Sequence, residues 1–588
     1  MSRYGMEYVG EHEDESQKRT EGNISNKELF NLLYPFFKPY SKKIILALTL
    51  LPLGAAAFSI QPLIIQRVID GPLASKDINA LIPFVFLFIG IVVSHYIIQI
   101  TQYLLINNVG QRAVADIRYK LFDHLEKLPM SYFDKTSVGS SVTRLTNDLD
   151  NLGESFAGGM VGMAVDSINI LGIAAFMIYL NWKLSLAVLF LLIPMALMAN
   201  YFQNQYREAN LIARKELSKL NSFLQQNIVG ISVVQLLNST KKNMRIFDEN
   251  NRKFFKANDD CIKADASFSA GIEFVSITAI ALLIFLSNFI LVQGVLSIGI
   301  IIAFLQYAQS LFEPIRNLSD KFTIIQAGLT SAERINHLLR EPISIEDPEA
   351  GEHAEGKSIE FKDVWFKYTD NWILKGLSFK IEPGEKIAFV GKTGSGKSTI
   401  IKLLSRLYEA QKGEILIDGI NIKNIKQKDL RDLVSVIHQE SYIFGGDVES
   451  NVTLNRPSQE IDMDLAKPFL KAFSLSLDTE LSERAANISS GEEQVISFAR
   501  AAASNPKILV LDEATAKIDL KTEKILQESL DEFIKDRTAI IIAHRLETIK
   551  KVDRIFVINQ GRLVEEGAHE KLLNKNGEYS KLYESRLT

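Results

Sequence analysis

The sequence holds a single cysteine, Cys261, among 588 residues. That excludes an internal disulfide framework and gives no redox signal. No charge of one sign dominates. Lys and Arg number 66 against 70 Asp and Glu, for a net charge of −4. Composition therefore makes no general case for a nucleic-acid partner. Residues 1–26 have no apolar run and no signal-peptide pattern, and Glu11, Glu13, Asp14 and Glu15 crowd together there. This stretch reads as a disordered cytoplasmic tail.

What the chain has is segregation. Mean hydropathy is +0.06 although 23% of residues are charged. Apolar residues must therefore concentrate in one part of the chain and charged ones in another. Residues 27–40 carry Leu29, Phe30, Leu32, Leu33, Phe36 and Phe37 at helical spacing, followed by Lys38, Lys42 and Lys43. An interfacial helix on the inner face of a membrane fits that pattern. Six long apolar segments follow near 44–69, 81–105, 156–180, 184–201, 272–292 and 298–312. Several reach the length of about 20 residues needed to cross a bilayer. The fourth and sixth are shorter and are expected to continue as polar helix. Pro52, Pro62 and Pro194 lie inside these segments, where membrane helices tolerate proline better than soluble ones.

The links alternate in length. Those at 70–79, 181–183 and 293–297 are short. Those at 107–155 and 203–271 are long, helical in period and rich in Lys and Arg. The excess of positive charge places the long links, and both termini, in the cytoplasm. Residues 341–357 are rich in proline, glycine and acid and read as a linker. From residue 358 to the end, β-branched strands alternate with amphipathic helices, an α/β pattern. The expected domains are a tail at 1–26, a six-helix membrane domain at 27–340, the linker at 341–357, and an α/β domain at 358–588.

The most specific chemistry is the run Gly391-Lys392-Thr393-Gly394-Ser395-Gly396-Lys397-Ser398. An apolar strand precedes it and an amphipathic helix beginning at Thr399 follows. The spacing G-x-x-x-x-G-K-S in that context is a phosphate-binding loop. Glycines let successive N–H groups converge on phosphate oxygens, and the helix aims its positive end at the same anion. Lys397 would reach the terminal phosphates, and Ser398 would hold Mg²⁺. Further on, a buried strand from Lys507 ends in Asp512 and Glu513. Those acids suit a Mg²⁺-binding carboxylate and a base that polarises the attacking water.

Together these residues resemble an ATP-binding cassette exporter half-transporter of the multidrug type. The resemblance covers the chain from about residue 29 onward. It implies a type I exporter fold, with a six-helix transmembrane domain fused to an α/β nucleotide-binding domain. It implies ATP and Mg²⁺ as ligands, and ATP hydrolysis driving efflux of amphipathic small molecules across a bacterial cytoplasmic membrane. Export of a lipid or peptide, or a nucleotide-gated regulatory role, is the alternative. Tyr368 matches the aromatic that stacks on adenine. Gln439 matches the glutamine that touches Mg²⁺, Asp519 an acid of the following loop, and His544 the histidine at the γ-phosphate. Leu128 to Asp134 resembles the first coupling segment, and Gly230 to Arg245 sits where the second should be. The resemblance implies that both dock on nucleotide-binding domains, the second on the partner's.

One motif departs from the resemblance. The family's signature is Leu-Ser-Gly-Gly-Gln, and this chain has Ile488-Ser489-Ser490-Gly491-Glu492, then Glu493. In the family this loop closes over ATP held by the opposite subunit. Ser490 adds a side chain where glycine allowed close approach, and the glutamates bring charge towards a polyphosphate. Two unit charges at about 6 Å repel by about 3 kcal/mol at an effective dielectric near 20. The expectation is a heterodimer: this chain retains Lys397, Gln439, Asp512, Glu513 and His544, and a second half-transporter supplies an intact signature loop; the alternative is a homodimer that tolerates the altered loop. Two acids inside apolar segments, Asp166 and Glu273, are candidates for the substrate path, because intramembrane carboxylates are costly; the alternative is a helix–helix hydrogen bond or a place at the membrane interface. At about 1.5 Å per residue they lie about 20 and 28 Å from the outer ends.

Overall fold

The computed structural model describes residues 33–291, 297–438, 441–482, 487–512, 520–542 and 549–587. The chain forms two compact units. One comprises Met1–Glu126 and Val138–Glu341, the other Lys127–Ser137 and Pro342–Thr588.

The first unit is built on six long helices: α1 (Ser41–Val68), α2 (Ile78–Glu126), α3 (Gly162–Leu180), α4 (Trp182–Val229), α5 (Thr240–Leu291) and α6 (Ile298–Arg340). Among the described residues, four helical stretches are long and apolar enough to cross a membrane: Leu33–Leu73, Ile78–Glu126, Val138–Leu180 and Thr240–Phe285; Ile298–Phe312 is a shorter apolar one. The most apolar stretch of α2 has no buried residue, and Phe86, Ile97 and Leu104 on that helix are exposed. An apolar surface of that kind suits lipid, and a helix satisfies its own backbone there. The sequence-expected interfacial helix is not a separate element over its described part. Residues 33–37 are helical and run through a 3₁₀ turn at Lys38–Tyr40, with Pro39 in its first positions, into α1. The ring of Phe37 meets that of Phe156 at 4.5 Å, and the Lys120 ammonium lies over Phe36.

Small and polar residues set the helix contacts. Tyr307 is buried on α6 and donates to the Ser59 carbonyl of α1 at 2.5 Å. A π-helical segment, Ser155–Val161, precedes α3. Gly328 of α6 faces its Ser155, where an added Cβ would fall 2.1 Å from the serine's, so glycine is required for the approach. Asp70, just beyond α1, accepts from Gln66, from the Ser297 hydroxyl, and from the Gly299 backbone N–H at the start of α6. Asn181 alone links α3 to α4 and caps α4, accepting from the N–H groups of Lys183 and Leu184 at 3.1 Å. The long links are helical, as their period indicates: α2, α4 and α5 carry on well past their apolar stretches. At the α4–α5 turn Val229 and Leu236 are 81% and 85% exposed.

The second unit is α/β. Its strands are β1 (Ile359–Lys367), β2 (Trp372–Ile381), β3 (Lys386–Val390), β4 (Lys412–Ile417), β5 (Ile420–Asn421), β6 (Val434–Ile437), β7 (Gly446–Asp447), β8 (Glu480–Leu481), β9 (Ile508–Asp512), β10 (Thr538–Ile542), β11 (Arg554–Asn559) and β12 (Arg562–Gly567). One sheet runs β2-β1-β4-β5 and is antiparallel. The larger runs β12-β11-β3-β10-β9-β6, parallel except for β12. Its central strands are apolar without alternation because both faces are covered.

The proline- and glycine-rich stretch 341–357 is fastened onto this second unit. The Arg406 guanidinium donates to the Glu346 carbonyl at 2.9 Å, and Gln427 donates to the Ile345 carbonyl and the Asp347 carboxylate. The Asp418 carboxylate accepts from the N–H groups of Glu355, Gly356, Lys357 and Ser358. Partial burial works against the charged form, but these four donors win and hold the Asp418 carboxyl below its ordinary value.

Candidate nucleotide site

The site stands at the carboxyl ends of the parallel strands. Ile542 of β10 pairs with both Phe389 of β3 and Asp512 of β9. That register brings the end of the phosphate-loop strand and the half-buried Asp512 to one edge of the sheet. Open α/β sheets bind ligands in the crevice beyond this edge.

The loop leaves β3 at Gly391 and enters helix α7 (Lys397–Leu404). A Cβ on Gly391 would lie 2.2 Å from the Ile558 carbonyl, so only glycine fits. Gly394 and Gly396 have φ of +80° and +106°, a backbone that favours glycine, and it bends the loop into a concave row of N–H groups. Thr393, Gly394 and Ser398 are exposed, so the cradle opens to solvent. Ser395 and Thr399 are buried beneath it. The Ser395 hydroxyl has no hydrogen-bond partner there. Lys397 is 6% exposed and its ammonium donates to the carbonyls of Gly391 at 2.9 Å and Lys392 at 3.0 Å. The amine is thus held over the loop, within a rotamer change of anything seated in it.

Tyr368 follows β1 and is 38% exposed, with its hydroxyl 3.4 Å from Thr399 Oγ1. Its ring meets Tyr408 edge-on at 5.2 Å and Phe366 at 4.8 Å. An exposed ring face on a buried aromatic base is a stacking platform for a heterocycle. No group of three or more His, Cys, Asp or Glu that would hold a metal alone occurs among the described residues. Ser398 and Asp512, completed by phosphate oxygens, are a hard-oxygen set of the kind Mg²⁺ takes. Gln439, Glu513, Asp519 and His544 lie outside the described residues.

The altered signature opens helix α8 (Ser490–Ala503). Ser489 is its N-cap. The Ser489 N–H donates to the Glu492 carboxylate at 2.8 Å, the Ser489 hydroxyl donates to the same carboxylate at 2.7 Å, and the Glu492 N–H points back at the hydroxyl at 3.3 Å. This is a reciprocal capping box. Ser490 is exposed at the first helical position and Gly491 is buried. The sequence placed the Glu492 charge towards a polyphosphate. In the fold it is turned onto its own helix end.

In the membrane unit, Asp166 of α3 forms an ion pair with Lys321 of α6, whose ammonium also donates to the Gly162 carbonyl at 3.2 Å. Glu273 is exposed on α5. The two acids have different surroundings. Lys321 went unnoticed because it lies 155 residues from Asp166, and a lone lysine in a helix reads as a solvated face. Tyr408 and Asp418 carry no sequence signal for the same reason: each acts on residues far away in the chain.

Residues 44–315 match the family described as ABC transporter transmembrane region, and residues 374–516 the family described as ABC transporter. The chain is 33% identical to the ABC transporter ATP-binding protein YknV of Bacillus subtilis (strain 168) over 566 residues, 94% of each chain. It is 34% identical to the probable multidrug resistance ABC transporter ATP-binding/permease protein YheH of the same strain, over 86% of this chain and 77% of that one. It is 30% identical to the ATP-dependent lipid A-core flippase of Desulfotalea psychrophila (strain LSv54 / DSM 12343), over 95% of this chain and 100% of the other. A structure of a bacterial Atm1-family ABC exporter with ATP bound superposes with a TM-score of 0.74 at 23% identity, covering 93% of this chain and 98% of that one. The cradle, the platform and the membrane helices therefore have one explanation: the chain belongs to the ATP-binding cassette transporter family, a multi-pass membrane protein of the type I exporter fold whose ATPase domain is coupled to transport.

Proposed function

We propose that the chain is one half of a heterodimeric exporter that moves amphipathic small molecules across the bacterial cytoplasmic membrane, with one hydrolysing and one impaired ATP site. In the hydrolysing site Lys397 and the loop N–H groups hold the phosphates and Tyr368 the adenine. Ser398, Asp512 and Gln439 would hold Mg²⁺, which would neutralise charge on the phosphates. Glu513 orients and deprotonates the attacking water, and His544 steadies the γ-phosphate.

The observation that carries the heterodimer is the Ser489–Glu492 pair. A signature serine is useful to a nucleotide if its hydroxyl and the helix end are free for phosphate oxygens. Here both face a carboxylate of the same chain. Two copies of this chain would put that arrangement over both ATP molecules. A full hydrolytic set on the same chain makes sense when another subunit supplies a different loop. The apolar turn at Val229 and Leu236 also supports a partner, since such a surface favours cover. The kinship with a lipid A-core flippase keeps a lipid cargo as the second reading.

The test is purification of the chain alone and co-expressed with a second half-transporter. The complex should hydrolyse ATP and respond to amphipathic compounds, and the single chain should show little ATPase. Full drug-stimulated turnover from the single chain would count decisively against the heterodimer.

A further inference from the structure

We propose that the crevice between α1, α2 and the π-helical segment Ser155–Val161 binds one anionic phospholipid, with an acyl chain in the crevice and the phosphate on the Lys43 ammonium. The proposal goes beyond the export reading and does not rest on it. Among the lining residues are Lys43, Ala47 and Leu48 of α1, Val109 of α2, and Phe156 and Val161 of the π-helical segment. Apart from Lys43, every lining residue is apolar.

The crevice has a wall, a closed flank and a charged mouth. Ala47 and Val109 are buried and form the wall, whereas Leu48 is exposed, so one side is open. Phe156 closes a flank, with its ring against that of Phe37 at 4.5 Å. Lys43 stands immediately before Ile44, where the apolar stretch of α1 begins. On the charge-based orientation, that is the headgroup level of the inner leaflet. Lys43 is half-buried, and its ammonium donates to the Asn108 side-chain carbonyl at 3.1 Å. That acceptor is neutral, and among the described residues Lys43 has no carboxylate partner. Lys42 beside it and Arg112, one turn past Asn108, are exposed cations. Asp116 accepts from the Tyr40 hydroxyl at 2.8 Å. It lies about 12 Å along α2 from Asn108, beyond the reach of about 8 Å that charge has in physiological salt.

Charge, not apolar contact, decides the occupant. A lipid chain gains little by entering an apolar crevice, because the tails around it are as apolar as leucine. The crevice fixes where a chain sits, and the choice among lipids falls to the cation at its mouth. One lysine at a membrane surface is worth about a fivefold preference for an anionic headgroup. A zwitterionic headgroup brings an ammonium of its own, which Lys43 repels. If Lys43 only tied α1 to α2 through Asn108, its charge would be dispensable, since a neutral amide also donates to that carbonyl.

Photolabelling of the full chain in phosphatidylcholine vesicles tests the site. The probes are phosphatidylglycerol and phosphatidylcholine with the same diazirine-tagged acyl chain, each in trace amount. Phosphatidylglycerol should label 105–109 and 156–161 about fivefold more than phosphatidylcholine. Added salt should shrink that difference. Lys43→Gln should bring the two probes level, and Lys43→Arg should keep the preference. Leu48→Trp, which fills the open side, should lower labelling there by both probes and leave the other spans unchanged. Equal labelling by both probes in the parent would mean an ordinary boundary lipid, and a preference that survives Lys43→Gln would put the selecting charge elsewhere. Either result overturns the proposal. No readout here needs transport or a second subunit, so the export reading stands or falls separately.

Discussion

Ser489 and Glu492 satisfy one another at the head of α8, through contacts at 2.7, 2.8 and 3.3 Å. A carboxylate in that place neutralises a positive helix end and engages a hydroxyl. Glu492→Gln keeps the capping geometry and removes the charge. Charges at helix ends are worth about 0.3–1 kcal/mol, so ATP affinity at the covered site should rise by about two- to fivefold. Titration of the reconstituted complex with ATP reads this. An unchanged curve would mean that the loop does not meet nucleotide.

The phosphate loop and the catalytic acid should fail differently. Lys397→Ala removes an ammonium placed over the cradle and should weaken ATP binding itself. Glu513→Gln should leave binding nearly intact and slow hydrolysis by about a hundredfold or more. Retained radiolabelled ATP beside phosphate release separates the two. Wild-type turnover in Glu513→Gln would reassign the base.

Asp418 should matter to the stretch it gathers. Asp418→Asn loses the charge to which four N–H groups donate and should speed proteolysis within 341–358 severalfold, from a loss of about 1 kcal/mol at a partly solvated site. The sign of the pH effect follows from its lowered pKa. The contribution is fully present above the unfolded-state value and lost as pH falls through the folded one. The difference between variant and parent should therefore hold steady from pH 8 to 5 and shrink only below the ordinary carboxylate range. A difference that shrank already between pH 7 and 6 would point to another group.

The ion pair in the membrane unit gives a fourth outcome. Asp166→Asn leaves Lys321 without its counter-charge and should reduce folded yield or transport. Adding Lys321→Met should recover much of the loss, since removing both partners costs less than removing one. If Asp166 instead met a cationic substrate, the double variant would stay inactive towards cations while regaining neutral ones. Transport assays with one compound of each kind decide.

What was legible in the sequence is what backbone geometry forces into composition. Gly391 and Gly396 are glycines because a carbonyl 2.2 Å away and a φ of +106° allow nothing else, so the loop announces itself. The spans announce themselves because lipid requires unbroken apolar helix. The rest depends on partners distant in the chain. Stretch 341–357 has a linker's composition, but Asp418, about 60 residues on, ties it down. Residues 127–137 sit in a basic link, yet they pack within the nucleotide-binding unit, where the Tyr408 hydroxyl donates to Asp134, 274 residues away. Such contacts leave no periodicity. The π-helical turn at Ser155–Val161 and the missing break near Tyr40 likewise follow from packing.

Asp70 has a mechanical consequence. By accepting from the Ser297 hydroxyl and from the Gly299 N–H in the first turn of α6, it rivets the far end of α1 to the start of α6. Gly299 leaves no slack at the joint, since even a methyl group would fall 2.5 Å from the Gln66 carbonyl. A joint of this kind favours the two helices moving there as one strut. Any opening at that end of the membrane unit would therefore part along seams other than this one.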